Sequence, residues 1–342
     1  RDDIVKPFGD RRQNLTFVCT INLDEDVLSY SEESGHIQLP LARLQEPSPI
    51  QRSEFTPFEA AAPAQLDLTK FSPPYQKPSV SISKRWQIFS SRIILDFTVQ
   101  WRYILRSLYS ESTFRRLAKA VISIATCNFT VDEISTSQQI DFRSSYVTIL
   151  DVPSWTPYSC NLLDIRGTVV VLHQDLQTAL KITIDDAKDS NKAIDLSYCK
   201  NRTYLLLSIR HMLVCYANST GDLFYTEPTT LMDGLTLPSS SAINLLFQAL
   251  SPTRPLPYTP IHYLPLEIQD RILEFVSEGS VEAARLGCAL GLGSTFSWMR
   301  AIDWPRRGGT VELFISPSHR NEFNAVESKI FFGDVFSGVS YR

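Results

Sequence analysis

Hydrophobic and polar positions recur along this chain with two periods, and the places where one gives way to the other mark most of its predicted elements. Near the start, Phe17, Cys19 and Ile21 alternate with Thr16, Val18 and Thr20, ahead of the acidic run Asp24-Glu25-Asp26. A period of two followed by a polar turn predicts a β-hairpin, with a third short strand from His36 to Leu39. Prolines then stand at 40, 47, 49, 57, 63, 73, 74 and 78. Each removes a backbone donor and pushes its predecessor toward extended geometry, so 40–79 is expected to be a long irregular connection.

From Phe97 the period becomes helical. Phe97, Trp101, Ile104, Leu105 and Leu108 predict an amphipathic helix over 97–109. Ser112 is placed to cap a second helix, with Phe114, Leu117, Val121 and Ile122 on its apolar face. From Tyr146 the runs are short, β-branched or aromatic, and bounded by Pro, Gly, Asp or Asn. YVTILDV, TVVVLHQ, ALKITID, AIDLSYC, TYLLLSI and HMLVCYA each predict a strand. VCYANSTGDLFYTE predicts a hairpin turning at Asn218 to Gly221, and Ala242 to Leu250 a helix behind the cap candidates Ser239-Ser240-Ser241. Consecutive strands favour an α+β fold, a mainly antiparallel sheet body with helices, over a doubly wound one.

Ser251 to Pro260 holds four prolines and predicts a stiff linker. Behind it, Leu264-Pro265 suits a helix start, because proline has its φ preset and lacks an N–H that the first turn would leave unpaired. Leu264, Ile268, Ile272, Leu273, Phe275 and Val276 form one face. Glu267, Gln269, Asp270, Arg271 and Glu274 form the other, with Glu267 and Arg271 in the favourable i,i+4 order. Ser280 can cap a second helix, Val281 to Leu290, ending at Gly291, and a third is expected from Thr295 to Trp304. The expected division is a hairpin with a proline-rich extension over 1–79, an α+β body over 80–250, a linker over 251–260, and a short-helix module with a C-terminal tail over 261–342.

Composition narrows the function classes. The 342 residues allow two compact domains or one large domain with an appendage, and a hydrophobic fraction of 43% supports a buried core. With 33 basic and 37 acidic side chains the net charge is -4, which offers no general attraction to nucleic acid or anionic lipid. No apolar run approaches the roughly 20 residues of a membrane span. Six cysteines without a CxxC pair argue against a zinc site or a small disulfide scaffold, and point to free thiols in a reducing compartment. Glycosylation-type triplets at Asn14, Asn128, Asn201 and Asn218 hint the other way, but a Ser- and Thr-rich chain produces such matches by chance. The weight falls on a cytoplasmic or nuclear location.

No nucleophile elbow, Walker loop or HExxH motif occurs. Gly291 to Phe296 contains Gly-x-Gly, but it follows a helix where a dinucleotide site needs a strand. His211 and Cys215 share a face of an apolar run and read as packing. Asp185, Asp186 and Asp189 lack the glycine and spacing of a calcium loop and read as a solvated turn. Arg102, Arg106, Arg115, Arg116 and Lys119 could meet phosphate or an acidic partner, and read more simply as a solvated helix face. No catalytic residue, metal or cofactor is assigned.

The Leu-Pro-x-Glu-Ile start, with short helices between 262 and 304, resembles the F-box. The matching residues are Leu264, Pro265, Glu267, Ile268, Ile272 and Leu273, followed by Val281, Leu286 and Cys288. Cys288 and Trp298 are spaced more widely than the Cys and Trp of that family. The resemblance implies that Leu264, Pro265, Ile268, Ile272, Leu273 and Val276 contact the small adaptor subunit of a cullin-type ubiquitin ligase, while another part presents a substrate. Two other readings stand beside it: a structural or interaction protein with no ligase link, and an enzyme without a linear signature. A face on 264–276 covered by the chain itself would favour the former, and a deep pocket of converging titratable groups the latter.

Overall fold

The structure, a computed structural model, describes residues 17–22, 26–32, 35–58, 83–106, 109–136, 153–193, 202–218, 223–251, 258–298 and 325–341. The N-terminal alternation forms the expected hairpin of β1 (Phe17–Asn22) and β2 (Val27–Glu32). β3 (Gly35–Pro40) and β4 (Thr56–Phe58) extend it into an antiparallel sheet in the order β1-β2-β3-β4. The stretch from 41 to 58 is therefore more regular than its prolines predict. Two short 3-10 turns, Leu41–Gln45 and Arg52–Glu54, are joined by the Arg43–Glu54 ion pair. Pro57 lies on the outer strand, where a missing N–H breaks no ladder. Residues 59–82, the rest of the expected connection, lie outside the described residues.

α1 (Lys84–Arg106) starts well before the predicted Phe97. Trp86, Phe89, Ile93, Phe97, Trp101 and Ile104 recur at helical spacing and are all buried. Ser90 and Thr98 hide that stripe in the sequence. Both are buried, and Thr98 returns its hydroxyl to the Ile94 carbonyl at 2.8 Å. α2 (Glu111–Ala125) is capped by Ser110 rather than Ser112, accepting from the Thr113 N–H at 3.3 Å, with Glu111 in the first turn. β5 (Thr130–Thr136) follows.

The second sheet contains β6 (Leu162–Ile165), β7 (Thr168–Leu172), β8 (Arg202–Leu207), β9 (His211–Ala217), β10 (Leu223–Tyr225) and β11 (Thr229–Thr230). Its order is β10-β9-β8-β7-β6, with β11 also on β9, and only β7 and β8 run parallel. Parallel neighbours cannot be joined by a hairpin, and α3 (Leu176–Ala193) supplies the crossover. ALKITID is therefore helix, not strand. Its Leu180, Ile182, Ile184 alternation is local, whereas Leu176, Ala179, Leu180, Thr183 and Ala187 keep helical spacing over a longer window. YVTILDV and nearly all of AIDLSYC lie outside the described residues.

α3 explains why β7 is buried along its whole length. Val169 and Val171 face α3 together with Tyr204, Leu206, Leu213 and Cys215. Val170 and Leu172 join Leu205, Leu207, Met212 and Val214 in the main core with α1, α2 and α4 (Ser240–Leu250). A sheet covered on both faces loses the usual in-out alternation of side-chain polarity.

α5 (Leu266–Val276) and α6 (Ser280–Leu290) form at the predicted places, except that Gly279 rather than Ser280 stands at the N-cap of α6, and Gly291 ends α6 at a φ of 72°. Thr295 to Trp298 is not the start of a third helix. Phe296 and Trp298 both pack on Phe89, at 5.7 and 5.5 Å between ring centroids, which an extended backbone permits for residues two apart. Residues 299–324 lie outside the described residues. The expected C-terminal tail is instead a hairpin, β12 (Ala325–Phe332) and β13 (Val335–Tyr341), turning through Gly333-Asp334 with Gly333 at a φ of 64°. β12 pairs along β5, and Ile330, Phe332, Val339 and Tyr341 are buried in the core around α1. The Trp101 indole donates to the Ser337 carbonyl at 2.9 Å. Val281 of α6 and the described strands β12 and β13 therefore share one core with α1, α2 and α4. The fold class is α+β with antiparallel pairing dominant.

Candidate functional site

The Leu264-Pro265 step works as its chemistry predicts. A 3-10 turn, Pro260–Tyr263, delivers the chain to Pro265, whose carbonyl accepts from Ile268 and Gln269 at 3.0 and 3.1 Å and opens α5. The Gln269 side chain reaches back to donate to the Leu264 carbonyl at 2.8 Å and accepts from the Gly293 N–H at 2.8 Å. Asp270 accepts from the Ser294 N–H at 2.7 Å, while Arg85 of α1 donates to the carbonyls of Gly293 and Ser294. Leu273 completes a small inner cluster with Ala283 and Leu292. A methyl group at Gly293 would come within 2.5 Å of the Asp270 carboxylate and 2.7 Å of Leu273, so this close approach requires glycine.

α6 connects this pair of helices to the body. Glu133 of β5 is buried at its N-terminus and accepts from the Glu282 N–H at 3.1 Å and from the Ser328 hydroxyl at 3.2 Å. Burial pushes the Glu133 carboxyl above its ordinary value. Arg285 pairs with Glu282 at 2.6 Å and reaches the Cys127 carbonyl at 3.4 Å.

α5 is thus anchored through the polar side chains of Gln269 and Asp270 and one leucine, and its richer apolar side points away from the protein. Gln269 and Leu273 are each only 5% exposed, whereas Ile268 is 47% and Phe275 89% exposed. Among the residues expected to meet a partner, Leu264, Pro265, Ile268 and Val276 are exposed and Ile272 is half-buried. Leu273 is turned inward and is not part of that face. The exposed side chains Tyr263, Leu266 and Leu290 were not predicted for it. His262 links two of these segments, with its ring 5.2 Å from that of Tyr258 and its Nε2 3.1 Å from the Leu290 carbonyl. Helical spacing reveals a stripe but not which side of the helix is covered. Arg271 pairs with Glu274 at 3.5 Å rather than with Glu267.

The other candidates are committed to the fold. Burial pushes the Cys215 thiol up to about 12, which leaves no thiolate at neutral pH. Asp185 and Asp186 lie on α3 rather than in a turn, and Asp186 accepts from Tyr204 at 2.8 Å and Arg202 at 2.9 Å. The arginines staple loops: Arg106 donates to the Gly234 carbonyl at 2.7 Å, Arg116 to Trp155 at 3.0 Å, and Arg115 to Asn161 at 2.5 Å. In the Gly-x-Gly loop, the Gly293 and Ser294 N–H groups that a phosphate would need are already donated to Gln269 and Asp270. Among the described residues, no three His, Cys, Asp or Glu side chains gather as a metal site, and no helix is long and apolar enough to cross a membrane. No family model, curated protein or solved structure matches the chain.

Proposed function

We propose that this chain is a non-enzymatic interaction adaptor that docks the outward face of α5 onto the small adaptor subunit of a cullin-type ubiquitin ligase and presents a protein substrate to it. The observation that carries the reading is the inverted helix: glutamine inside, and Ile268, Phe275 and Val276 outside. Exposed apolar side chains concentrated on one helix gain most by leaving water against a partner, at about 25 cal/mol per Å². The Leu264-Pro265 start and the F-box resemblance name the partner class. The reading sets the protein to work in the cytosol or nucleus, where that machinery acts.

The test pairs stability with binding. Ile268→Ala with Phe275→Ala should shift folding stability by under about 1 kcal/mol each, because both are well exposed. Pull-down of the ligase adaptor should fall at least tenfold, about 1.4 kcal/mol. No binding by the unmutated protein, or collapse of the double variant, would overturn the proposal. If the face captures another protein and no ligase subunit, the same exposed residues support the second reading, an interaction protein outside ubiquitin transfer.

A further inference from the structure

The chain approaches the outward face of α5 through Tyr258 to Leu264, and one threonine holds that approach together. Thr259 is exposed and extended, at φ −113° and ψ 164°, and Pro260 follows it. Its N–H donates to His262 Nδ1 at 3.0 Å, and its Oγ1 lies 2.9 Å from the same nitrogen. A ring nitrogen that accepts from an amide carries no proton, so the hydroxyl donates to it as well and the ring proton sits on Nε2. That N–H meets the Leu290 carbonyl of α6 at 3.1 Å. The His262 amide in turn donates to the Thr259 carbonyl at 3.0 Å, and the Leu264 amide to Ile261 at 3.1 Å. From Tyr258 to Leu264 every residue but His262 is exposed, and none belongs to a core cluster. The turn can therefore open without disturbing the packed interior. Ser251-Pro252 is closed by comparison: Ser251 is buried and donates its hydroxyl to the Phe247 carbonyl at 2.7 Å.

We propose that Thr259 is the acceptor for a proline-directed protein kinase, and that its phosphate releases the face of α5 from its partner. The release, though not the site, rests on the adaptor-docking reading above. Such a kinase reads an exposed hydroxyl on extended chain, followed by a residue with no backbone donor, and Thr259-Pro260 supplies both. Thr259 Oγ1 attacks the γ-phosphorus of ATP held by the kinase. The new O–P bond forms as the bond from that phosphorus to the β,γ-bridging oxygen breaks. ADP leaves with the electron pair, and the hydroxyl proton passes to the catalytic base of the kinase. About two negative charges then stand where one hydroxyl stood. Phosphate oxygens have no hydrogen to give His262 Nδ1, so a lone pair faces a lone pair and the Thr259–His262 contact opens. The charge also lies beside Tyr258, Ile261, Tyr263 and Leu264, all exposed and apolar or aromatic. The sequence has no lysine or arginine between 255 and 270 to pair with it. A partner seated on Leu264 and Ile268 would have to take water from an unpaired dianion at the rim of its site.

The test treats the native full chain with a purified mitogen-activated protein kinase and Mg-ATP, then maps phosphate by mass spectrometry. Amide hydrogen exchange and pull-down of the ligase adaptor are measured on the same sample. Phosphate is expected on Thr259, the His262 and Leu264 amides should exchange faster, and adaptor binding should fall at least tenfold. A phosphatase should reverse all three. Thr259→Ala should bind the adaptor equally before and after kinase treatment. No phosphate at Thr259, or phosphate only at the exposed Ser48 or Thr156, would overturn the site. Phosphate at Thr259 that leaves adaptor binding unchanged would overturn the release. If the unmodified protein binds no adaptor, the docking reading fails by itself, while mapped phosphate with faster exchange upholds the site.

Discussion

Gly279 and Asp96 show how far single residues are set by what surrounds them. A methyl group added at Gly279 would lie 2.5 to 2.6 Å from the Glu133 carboxylate, in a space the buried side chain already fills. Gly279→Ala should therefore destabilise the protein by about 1–3 kcal/mol in urea denaturation. Asp96 is packed on α1 beside Arg92 and accepts from the Tyr341 hydroxyl at 3.1 Å. Burial raises its carboxyl from 3.8 to about 6, against the opposing pull of Arg92. The folded protein then holds this proton more tightly than the unfolded chain. The stability it contributes is present below pH 3.8 and is lost as pH rises through about 6. A carboxyl-carbon NMR titration should find its midpoint near 6, and Tyr341→Phe, by removing a donor to the carboxylate, should move it higher. Neither environment is visible in the sequence, because Arg92 is the one local partner and the deciding neighbours, Tyr341 and Glu133, come from strands far away along the chain. Gln269 could have been noticed: its position beside Leu273 fits an inner face as well as an outer one.

At the scale of elements, helix stops and long apolar windows are legible in the sequence, whereas competing periods are not, and the N-caps of α2 and α6 fall on Ser110 and Gly279, one or two residues from the serines that promise them. The proline start and glycine stop framed α5 and α6 correctly, and the runs TVVVL, TYLLL and HMLVC became β7, β8 and β9. α3 reads as a strand because three alternating residues imitate one, and a parallel pair that demands a crossover cannot be seen before the sheet is assembled. The β12–β13 hairpin carries a Gly-Asp turn signal between apolar runs, which distinguishes it from a tail. The two sides of α5 lead to opposite outcomes. Leu273→Ala should lose about 2–5 kcal/mol, because its neighbours can only partly close on the gap. A melting curve for Leu273→Ala that matches that of Ile268→Ala would show that the helix has been turned the wrong way round.

At the scale of the molecule, the proline-rich stretch after α4 looks like a boundary, yet the core runs past it. A protease site inserted between 251 and 258 should therefore yield two fragments that still co-elute in gel filtration, since β12 remains paired with β5 and Val281 remains in the core. Fragments that separate in native buffer would restore the two-domain division. The antiparallel α+β class was legible because alternation and turn residues are local, whereas the shared core depends on pairings across most of the chain. That long-range pairing also sets an order of assembly. During synthesis, α1 and β5 leave the ribosome long before β12 and β13, so the side of Phe97 and Trp101 that Trp155 does not cover must wait for those strands to be made. A nascent chain stopped anywhere short of residue 325 presents those aromatic side chains to chaperones and proteases. The newly made protein becomes resistant to both only after β12 and β13 have emerged.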